Sequence, residues 1–499
     1  MKVMKFVFSL FVCLMLANGL QAKNCNILDF GAKPDGTTMN TKAIQSAIDY
    51  LSKTGGGTLI VPKGRFLTGS IELKSNINLY LDKDAVLLGS TEYADYRKLT
   101  DHMSLILASD QSHISISGEG TIDGQGRAMA LKLDSLFFVG KMNRDDYDLT
   151  RPDERVRPTD LQIVNCKDVM VKQVTFKNAA CWVQQYIGCE NVVIDKIRVD
   201  SEAFSNNDGM DIANCKNVSI TGCVVNSADD GICLKGSWND QILIQNCRIR
   251  SSASAIKFGS GVGATNVTIK DIYIYDTYRS ALALESVDGN VIENILVDGL
   301  HVSNTWNVFY LRIGKRNLNS KGEVGTLKNI TIRNVSADVP YARPDIYHET
   351  RFPGLSYPLN ANIYPAMIIG VTDRAVENVH FENVSITYPG RGDEGTAYMP
   401  VWKMKNIPEN EKVYPEFNLH GEMPAWGFYV RHAKGISFKN VAVAAKKHDY
   451  RPAFVFDDVQ GINMERVYIN EDDNGPQIIL RNVSGENLKE NQDQIEVVQ

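Results

Sequence analysis

The chain has 499 residues, of which 43% are hydrophobic and 22% are charged, and its formal net charge at pH 7 is −6. It contains no block of lysine and arginine, which argues against a general nucleic-acid-binding surface, so an anionic ligand would need a local basic site. This length usually indicates two or three domains, but repeat proteins are an exception because each coil packs only on its neighbours.

The first 22 residues are predicted to be a signal peptide. Lys2 and Lys5 give a positive start, an apolar run follows from Phe6 to Leu16, and Ala22 marks the expected cleavage edge. The run is shorter than the roughly 20 residues that a membrane-spanning helix needs, although a membrane anchor is the alternative. We therefore expect an exported protein, periplasmic or extracellular, that is monomeric and has no membrane span in its mature form.

An amphipathic helix is predicted near the start of the mature chain. Asn40 can cap it, glycines 55–57 end it, and apolar residues fall on one face between them, at Ala43, Ile44, Ala47, Ile48 and Leu51. Strand-like segments follow from Thr58, Gly69 and Asn78. Such a helix would cover the first coil of a repeat protein, whose open end would otherwise expose unpaired strand edges.

A strand-like unit then recurs along the rest of the chain. Its best copies align at positions 23, 26, 24 and 25 residues apart, namely Asp168, Asn191, Asn217, Gln241 and Asn266. Weaker copies begin at Leu327, Val376, Lys434 and Gln460. Each unit alternates β-branched and polar residues and is bounded by turn residues. A period of this length without helices predicts an all-β fold, a single-stranded right-handed parallel β-helix with a short N-terminal capping helix.

We expect this β-helix to span residues 23–490, followed by a short C-terminal tail, 491–499. Two stretches break the repeat, at about 338–375 and 389–433, and both are rich in aromatic residues, prolines and charges. Insertions in a solenoid usually lie on one face, often the binding face, although these two could simply cover the core.

Four cysteines recur at coil-like spacing: Cys166, Cys189, Cys223 and Cys247. They are predicted to be small core residues stacked along the solenoid. The chain has no Cys-x-x-Cys pair, so a zinc site is not indicated, and we expect neither metal nor cofactor.

The densest acidic cluster lies in two adjacent units and comprises Asp208, Asp229 and Asp230. Asp208 and Asp230 are 22 residues apart, about one coil, so they should stack. Strand alternation then places Asp211 and Lys235 outward, and turns four apolar residues inward, Met210, Ile212, Ile232 and Leu234. Crowded carboxylates raise at least one pKa, as glycoside hydrolysis requires, since one carboxyl must stay protonated while another is ionised. Turn aspartates or a calcium site are the alternatives.

These segments together resemble glycoside hydrolase family 28, the polygalacturonase family. The N-terminal stretches LDFGAKPDGTTMNTKAIQSAID and GGGTLIVPKGRFLTGSI are similar to the N-terminal cap of pectin-active β-helices, and RPTDLQIVNCKDV continues the likeness. The family's Asn-Thr-Asp motif is matched by Asn206-Asn207-Asp208, and its Asp-Asp pair by Asp229-Asp230. The resemblance implies an inverting hydrolase of α-galacturonosidic bonds in pectin or pectic oligosaccharides. It also implies that Asp229 is the general acid, that Asp208 and Asp230 position the water, and that no metal takes part.

The chain departs from the family pattern in two places. Ser254 stands where the family has the histidine of Gly-His-Gly, and the Arg-Ile-Lys position falls on ALALES, which includes Glu285. An Arg-Ile-Gly-Lys sequence starts at Arg312, about a coil late. Lys257 is forced outward between two apolar neighbours and could bind a uronate carboxylate, as could Arg312, unless both are solvated surface charges. The predicted substrate contacts are Asn206, Lys235, Ser254, Lys257, Glu285 and Arg312.

The sequence is compatible with several functions. The two insertions favour exo-action, because loops that close one end of a groove admit only chain ends. An endo-polygalacturonase or a rhamnogalacturonan hydrolase is the nearest alternative. A pectate lyase would depend on calcium, and a non-catalytic polysaccharide-binding β-helix would have no need for three crowded aspartates.

Overall fold

The computed structural model describes residues 23–148, 150–259, 261–344, 348, 363–390, 404–470, 475–488 and 491–498. The predicted signal peptide lies outside these residues, as do parts of both predicted insertions. Among the described residues, the helices are all too short or too polar to cross a bilayer.

Nearly all regular structure is β. The strands, in chain order, are β1 (Lys23–Asn26), β2 (Gly57–Val61), β3 (Gly64–Thr68), β4 (Ile71–Glu72), β5 (Ile77–Leu81), β6 (Ala85–Gly89), β7 (Arg97–Lys98), β8 (Met103–Ser109), β9 (Ser112–Gly118), β10 (Thr121–Asp123), β11 (Tyr147–Asp148), β12 (Arg151–Pro152), β13 (Thr159–Val164), β14 (Lys167–Lys172), β15 (Thr175–Lys177), β16 (Gln184–Ile187), β17 (Glu190–Asp195), β18 (Arg198–Ser201), β19 (Met210–Ala213), β20 (Lys216–Thr221), β21 (Val224–Ser227), β22 (Ile232–Lys235), β23 (Asp240–Gln245), β24 (Arg248–Ser251), β25 (Ile256–Phe258), β26 (Ala264–Ser286), β27 (Val291–Ile313), β28 (Thr326–Asp338), β29 (Ala366–Ile369), β30 (Val376–Tyr388), β31 (Phe428–Ala445), β32 (Phe454–Asn470), β33 (Ile478–Ser484) and β34 (Ile495–Val498).

In the described part of the chain, two α-helices interrupt the strands, α1 (Thr41–Lys53) and α2 (Gly126–Phe138). Short 3-10 turns are present at Ile27–Phe30, Tyr93–Asp95, Arg144–Asp146, Glu154–Val156, Met404–Asn406 and Gln492–Gln494.

Apart from the antiparallel pairs β7–β8 and β11–β12, the described strands pair in parallel with their equivalents in the next coil and so build three sheets. One series runs β9, β14, β17, β20, β23 and β26, a second runs β10, β15, β18, β21 and β24, and a third runs β8, β13, β16, β19, β22 and β25. The later strands β26, β27, β31 and β32 are long enough to bend through corners and to serve more than one sheet. The predicted parallel β-helix is confirmed, and its right-handed sense remains a prediction.

A corner of the coil explains why asparagine marks the repeat. The five aligned positions, Asp168 to Asn266, all have left-handed backbone, with φ between 53° and 59°. Asparagine and aspartate tolerate this conformation better than other side chains that carry a Cβ. The Asn217 amide also donates to Asn191 Oδ1 at 2.7 Å, and the Asn191 amide donates to Asp168 Oδ1 at 2.9 Å. The repeat therefore reflects a stacked polar ladder at one corner.

All eight described cysteines are buried and free of disulfides, which confirms the prediction of Cys166, Cys189, Cys223 and Cys247 as core residues. The four predicted cysteines are divided between two rows. Cys215 Sγ accepts from the backbone N–H of Cys189 at 3.3 Å, one coil away, and Cys166 lies beyond Cys189 in the same row. Cys223 and Cys247 stack separately at the next corner, because each coil offers two such inward turns.

Helix α1 lies where the apolar pattern predicts it, with Ile44, Ala47, Ile48 and Leu51 fully buried against β1, β2 and β4. Asn40 occupies the N-cap position of α1, as predicted. Its side chain makes no capping bond to the helix and instead ties the preceding loop, accepting from Lys33 N at 2.7 Å and donating to Thr38 O at 2.7 Å.

Two predicted boundaries are corrected by strand pairing. The tail at 491–499 contains β34, which pairs with β33, so the coils continue to residue 498. The insertions are shorter than expected, because β29 and the start of β31 belong to the third sheet and pair with each other. The described parts of the two insertions therefore lie between β28 and β29 and between β30 and β31.

We predict that Asn217→Ala lowers the free energy of unfolding by about 1–2 kcal/mol, since alanine must adopt left-handed backbone and lacks the ladder amide. Asn217→Gly loses the same hydrogen bond but reaches positive φ without strain, so it should cost less. Thermal unfolding of the three proteins measures the difference. Equal losses in both variants would show that backbone strain at this corner is not limiting.

Candidate active site

The three aspartates lie on the floor of a cleft of about 630 Å³ that opens over the third sheet. Strands β19 and β22 carry the floor, and loops from three other segments form the walls. The lining residues are Arg151, Glu154, Trp182, Asn206, Asp208, Asp229, Asp230, Lys235, Arg279, Val413, Tyr414, Glu416, Asn418 and Leu419.

Asp208 and Asp230 stack one coil apart, as their spacing predicts. The Gly209 N–H donates to Asp230 O at 2.8 Å, and the following strands pair in register from Met210 opposite Ile232. The four residues predicted to face inward, Met210, Ile212, Ile232 and Leu234, are all fully buried in the core. Asp229 precedes Asp230 on the same turn and is half-buried, and its carbonyl accepts from Ser251 Oγ at 2.6 Å.

The middle residue of the Asn-Asn-Asp motif has a structural task. Asn207 is fully buried, and its Oδ1 accepts from Ser201 Oγ and from the backbone N–H groups of Ala203 and Phe204 at 3.0–3.1 Å. Its amide donates to the carbonyls of Ala179 and Cys181 at 2.9 and 2.8 Å. Five hydrogen bonds to one buried side chain fix the turn that presents Asp208.

Asn206 lies at the cleft wall and is held from behind. Its backbone is left-handed, with φ of 58°, and its Oδ1 accepts from Arg157 Nη2 at 2.7 Å. Arg157 is fully buried and also donates to the carbonyls of Ala180 and Ser205 at 2.9 and 2.6 Å. The guanidinium therefore joins three neighbouring loops beneath the motif.

A buried ion cluster surrounds Asp208. Burial raises the pKa of Asp208 well above its usual range, opposed by Lys235 and reinforced by the nearby Asp211, Asp229 and Asp230. Burial likewise raises the pKa of Asp211 to about 6. Lys235 Nζ lies 2.9 Å from Asp208 Oδ2 and 2.8 Å from Asp211 Oδ1. Burial opposes the ammonium form, yet these two carboxylates raise the pKa of Lys235 above its ordinary value.

Lys235 lines the cleft, but its charge is paired with groups of the protein itself. Besides its two carboxylate partners, its ammonium lies 3.7 Å above the centre of the Trp182 ring. Three such neighbours satisfy the cation, so its part in the free cleft is to compensate Asp208 and Asp211.

The other predicted contacts lie beneath or away from the cleft lining. Ser254 stacks on Asp230 and donates its backbone N–H to Asp230 Oδ1 at 3.0 Å, and Ser254 itself is only 3% exposed. Lys257 points away from the core, as predicted, but the side chain is covered. Its Nζ lies 3.7 Å from Asp230 Oδ2 and 3.6 Å from Glu285 Oε2, and it donates to Tyr414 Oη at 3.1 Å.

Arg312 corrects the sequence interpretation most clearly. It is one coil beyond Glu285, opposite it in register, and is 1% exposed. Its guanidinium donates to the carbonyls of Gly370 and Glu409, so it is neither a solvated surface charge nor part of the cleft lining.

Several lining residues were not foreseen. Arg151 and Glu154 follow α2, a helix that the repeat pattern concealed, although its buried Met129, Ala130 and Leu133 have helical spacing. The opposite wall comes from residues 404–427, which we call the 404–427 insertion, and includes Tyr414 and Glu416. An Arg279–Glu416 ion pair of 2.5 Å joins that wall to β26.

The cleft floor suits an acid cluster better than a cation site. Asp208, Asp230 and Cys233 could each offer one ligand atom within 4.8 Å of the others. Calcium prefers six to eight oxygen ligands, and a thiol is a poor substitute. Lys235 and Lys257 also direct ammonium groups at the two carboxylates, which would repel a metal ion.

We predict that Lys235→Met destabilises the protein strongly at pH 7 and little at pH 4. The variant leaves Asp208 and Asp211 buried without their cation. Both carboxyls therefore bind protons more tightly in the folded protein than in the unfolded chain. Stability should then fall as pH rises from about 4, the pKa of an unfolded aspartate, through and beyond 6, with a full loss of about 3–5 kcal/mol.

Melting temperatures measured from pH 4 to 8 test this, with Lys216→Met as the control, because Lys216 is exposed on the adjacent strand β20. A loss that does not depend on pH would mean that Lys235 acts through packing alone.

Comparisons with known proteins agree with this geometry. The model of glycosyl hydrolases family 28 matches residues 52–283, which include both acidic coils. A probable polygalacturonase of Vitis vinifera is 26% identical and covers 63% of this chain and 61% of its own length. An exo-poly-alpha-D-galacturonosidase of Dickeya chrysanthemi is 30% identical, over 42% and 41%. The chain thus spans less than two thirds of either relative.

Solved structures share the fold. An exopolygalacturonase from Thermotoga maritima is 24% identical, with a TM-score of 0.57 over 73% of this chain and 87% of its own. A family 28 exopolygalacturonase of Yersinia enterocolitica is 18% identical, with a TM-score of 0.55 over 93% and 78%. Over residues 52–283 the chain is therefore similar to glycosyl hydrolases family 28, and the residues that match the family's two acidic motifs lie together on one cleft floor.

Proposed function

We propose that this protein hydrolyses α-galacturonosidic bonds of pectin or pectic oligosaccharides with inversion at the anomeric carbon. One observation carries the proposal: Asp208, Asp229 and Asp230, the residues matching the family motifs, meet on the floor of one open cleft. A glycosidic bond needs a carboxylic acid on one side and a carboxylate that activates water on the other.

In this mechanism Asp229 donates a proton to the glycosidic oxygen as the bond to the anomeric carbon breaks. Water attacks that carbon from the opposite face, and its proton passes to the Asp208–Asp230 pair. The lysines support this division, because the ammonium of Lys235 lies 2.9 Å from Asp208 and that of Lys257 lies 3.7 Å from Asp230, so each carboxylate has a cation beside it. Burial opposes the ionised form of Asp208, and the nearby Lys235 favours it.

Exo-action is part of the proposal. The 404–427 insertion packs Met404, Ile407, Phe417 and Met423 on outward residues of the later coils, including Tyr310, Met367 and Tyr429. It thereby covers the outer face of the third sheet immediately beyond the cleft. A groove closed at one end admits only a chain terminus, and the Dickeya relative carries an exo-acting name. We further propose that the protein acts as an exported monomer.

We predict that Asp229→Asn cuts turnover by roughly 10²-fold or more on natural substrate, because the leaving oxygen loses its proton donor. An aryl galacturonide, whose leaving group needs little protonation, should retain much more activity. Steady-state kinetics on both substrates measure the ratio, with Asp208→Asn as the matched control. If Asp208→Asn, and not Asp229→Asn, spares the aryl substrate, the two roles are exchanged.

Digestion of defined pectic oligosaccharides tests linkage, direction and stereochemistry together. We expect single galacturonate units released from one chain end, first seen by proton NMR as the β-anomer from an α-linked substrate. Mid-chain cleavage would assign endo-action, and cleavage only next to rhamnose would assign a rhamnogalacturonan hydrolase. Unsaturated products that vanish with chelator would replace the hydrolase by a lyase, and binding without products would indicate a non-catalytic β-helix.

A further inference from the structure

Lys257 is a buried cation placed directly behind the acidic pair. It belongs to β25, in the coil that follows Asp230, and is 1% exposed. Its ammonium contacts Asp230, Glu285 and Tyr414 at the distances given above. A lysine is seldom buried so completely without a partner that requires its charge.

The arrangement repeats the one at Asp208. Lys235 follows Asp208 by 27 residues, and Lys257 follows Asp230 by 27 residues, so each stacked aspartate faces a lysine from the next coil. Two like charges about one strand spacing apart repel each other, and each lysine offsets that repulsion for one member of the pair.

The remaining groups around Lys257 leave its charge available to Asp230. Glu285 faces it from β26, and Tyr414 and Glu416 face it from the 404–427 insertion. Burial raises the pKa of Glu285 to about 8, against the opposing effect of Lys257, so burial weakens Glu285 as a competitor for the ammonium. Asp230 in turn shares its surroundings with three other carboxyls, those of Asp208, Asp211 and Asp229.

We propose that Lys257 is a positioning residue that compensates the charge of Asp230 and holds its carboxylate in place, and does not bind the substrate. The inference rests on the proposed hydrolysis, in which Asp230 helps to position and deprotonate water. Tyr414 lines the cleft and accepts a hydrogen bond from the same ammonium, so Lys257 also ties the insertion wall to the carboxylate.

The pH dependence of kcat/KM is the first test, on a pectic oligosaccharide that the wild-type protein cleaves. Lys257→Met should move the acidic limb upward by about 1–3 pH units, since an opposite charge within about 6 Å has an effect of that size. The limb reports the interacting carboxyls jointly. Free-acid and methyl-ester substrates should lose activity in the same ratio, whereas a residue that binds uronate would affect the free acid more.

Two further variants separate charge from packing. Lys257→Arg keeps the charge, so the acidic limb of its pH profile should lie close to the wild-type position. Glu285→Gln removes the competing carboxyl, so its limb should stay in place or move to lower pH. An upward shift in Glu285→Gln equal to that of Lys257→Met, or an unshifted limb in Lys257→Met, would overturn the proposal.

A double-mutant cycle in thermal unfolding needs no substrate. At pH 7 Lys257→Met should lower the melting temperature more in the wild-type background than in the Asp230→Asn background. Only in the wild-type background does the substitution leave the buried Asp230 carboxylate without its cation. Equal losses would refute the pairing. If the wild-type protein cleaves no pectic substrate, the proposed function fails, while this cycle still decides whether Lys257 acts on Asp230.

Discussion

The site depends on parallel stacking of coils in register. Equivalent residues of successive coils lie about 4.8 Å apart, because that is the spacing of hydrogen-bonded strands. The pairing of Met210 with Ile232 therefore forces the carboxylates of Asp208 and Asp230 together, whatever their mutual repulsion. Burial of the β-branched core rows stabilises the coils by more than the repulsion between the two carboxylates destabilises them. The fold therefore imposes the acidic floor, and the repulsion lowers stability locally.

Local interactions offset that cost in two ways. Lysines from the following coil compensate both aspartates, and the five hydrogen bonds of Asn207 prevent the turn before Asp208 from relaxing away. A buried pair of this kind contributes specificity of charge placement more than net stability. The neighbouring Asp211 shows the balance, since its pKa is raised to about 6 by burial even with Lys235 2.8 Å away.

Sequence periodicity explains what could be predicted. The stacked aspartates, the inward apolar residues and the corner asparagines all repeat with the coil, so one unit predicts the next. Arg157, Trp182 and Tyr414 could not be placed, because they come from aperiodic segments whose contacts span up to 157 residues. The outward direction of Lys257 followed from alternation, but no local pattern could show that the insertion covers it.

The 404–427 insertion explains what the displaced Arg-Ile-Gly-Lys sequence contacts. Arg312 donates to the carbonyl of Glu409, and Lys315 pairs with Glu411 at 3.2 Å, so both cations hold the 404–427 insertion. Arg431, further along the same face, donates to the carbonyl of Ile407. Cations on the outer face of the third sheet thus anchor the wall of the cleft. Among the described lining residues, positive charge near the floor then comes from Lys235, Arg151 and Arg279, of which Arg151 lies outside the repeating coils. Substrate preference in this framework should therefore vary with the irregular segments, while the acidic floor stays constant.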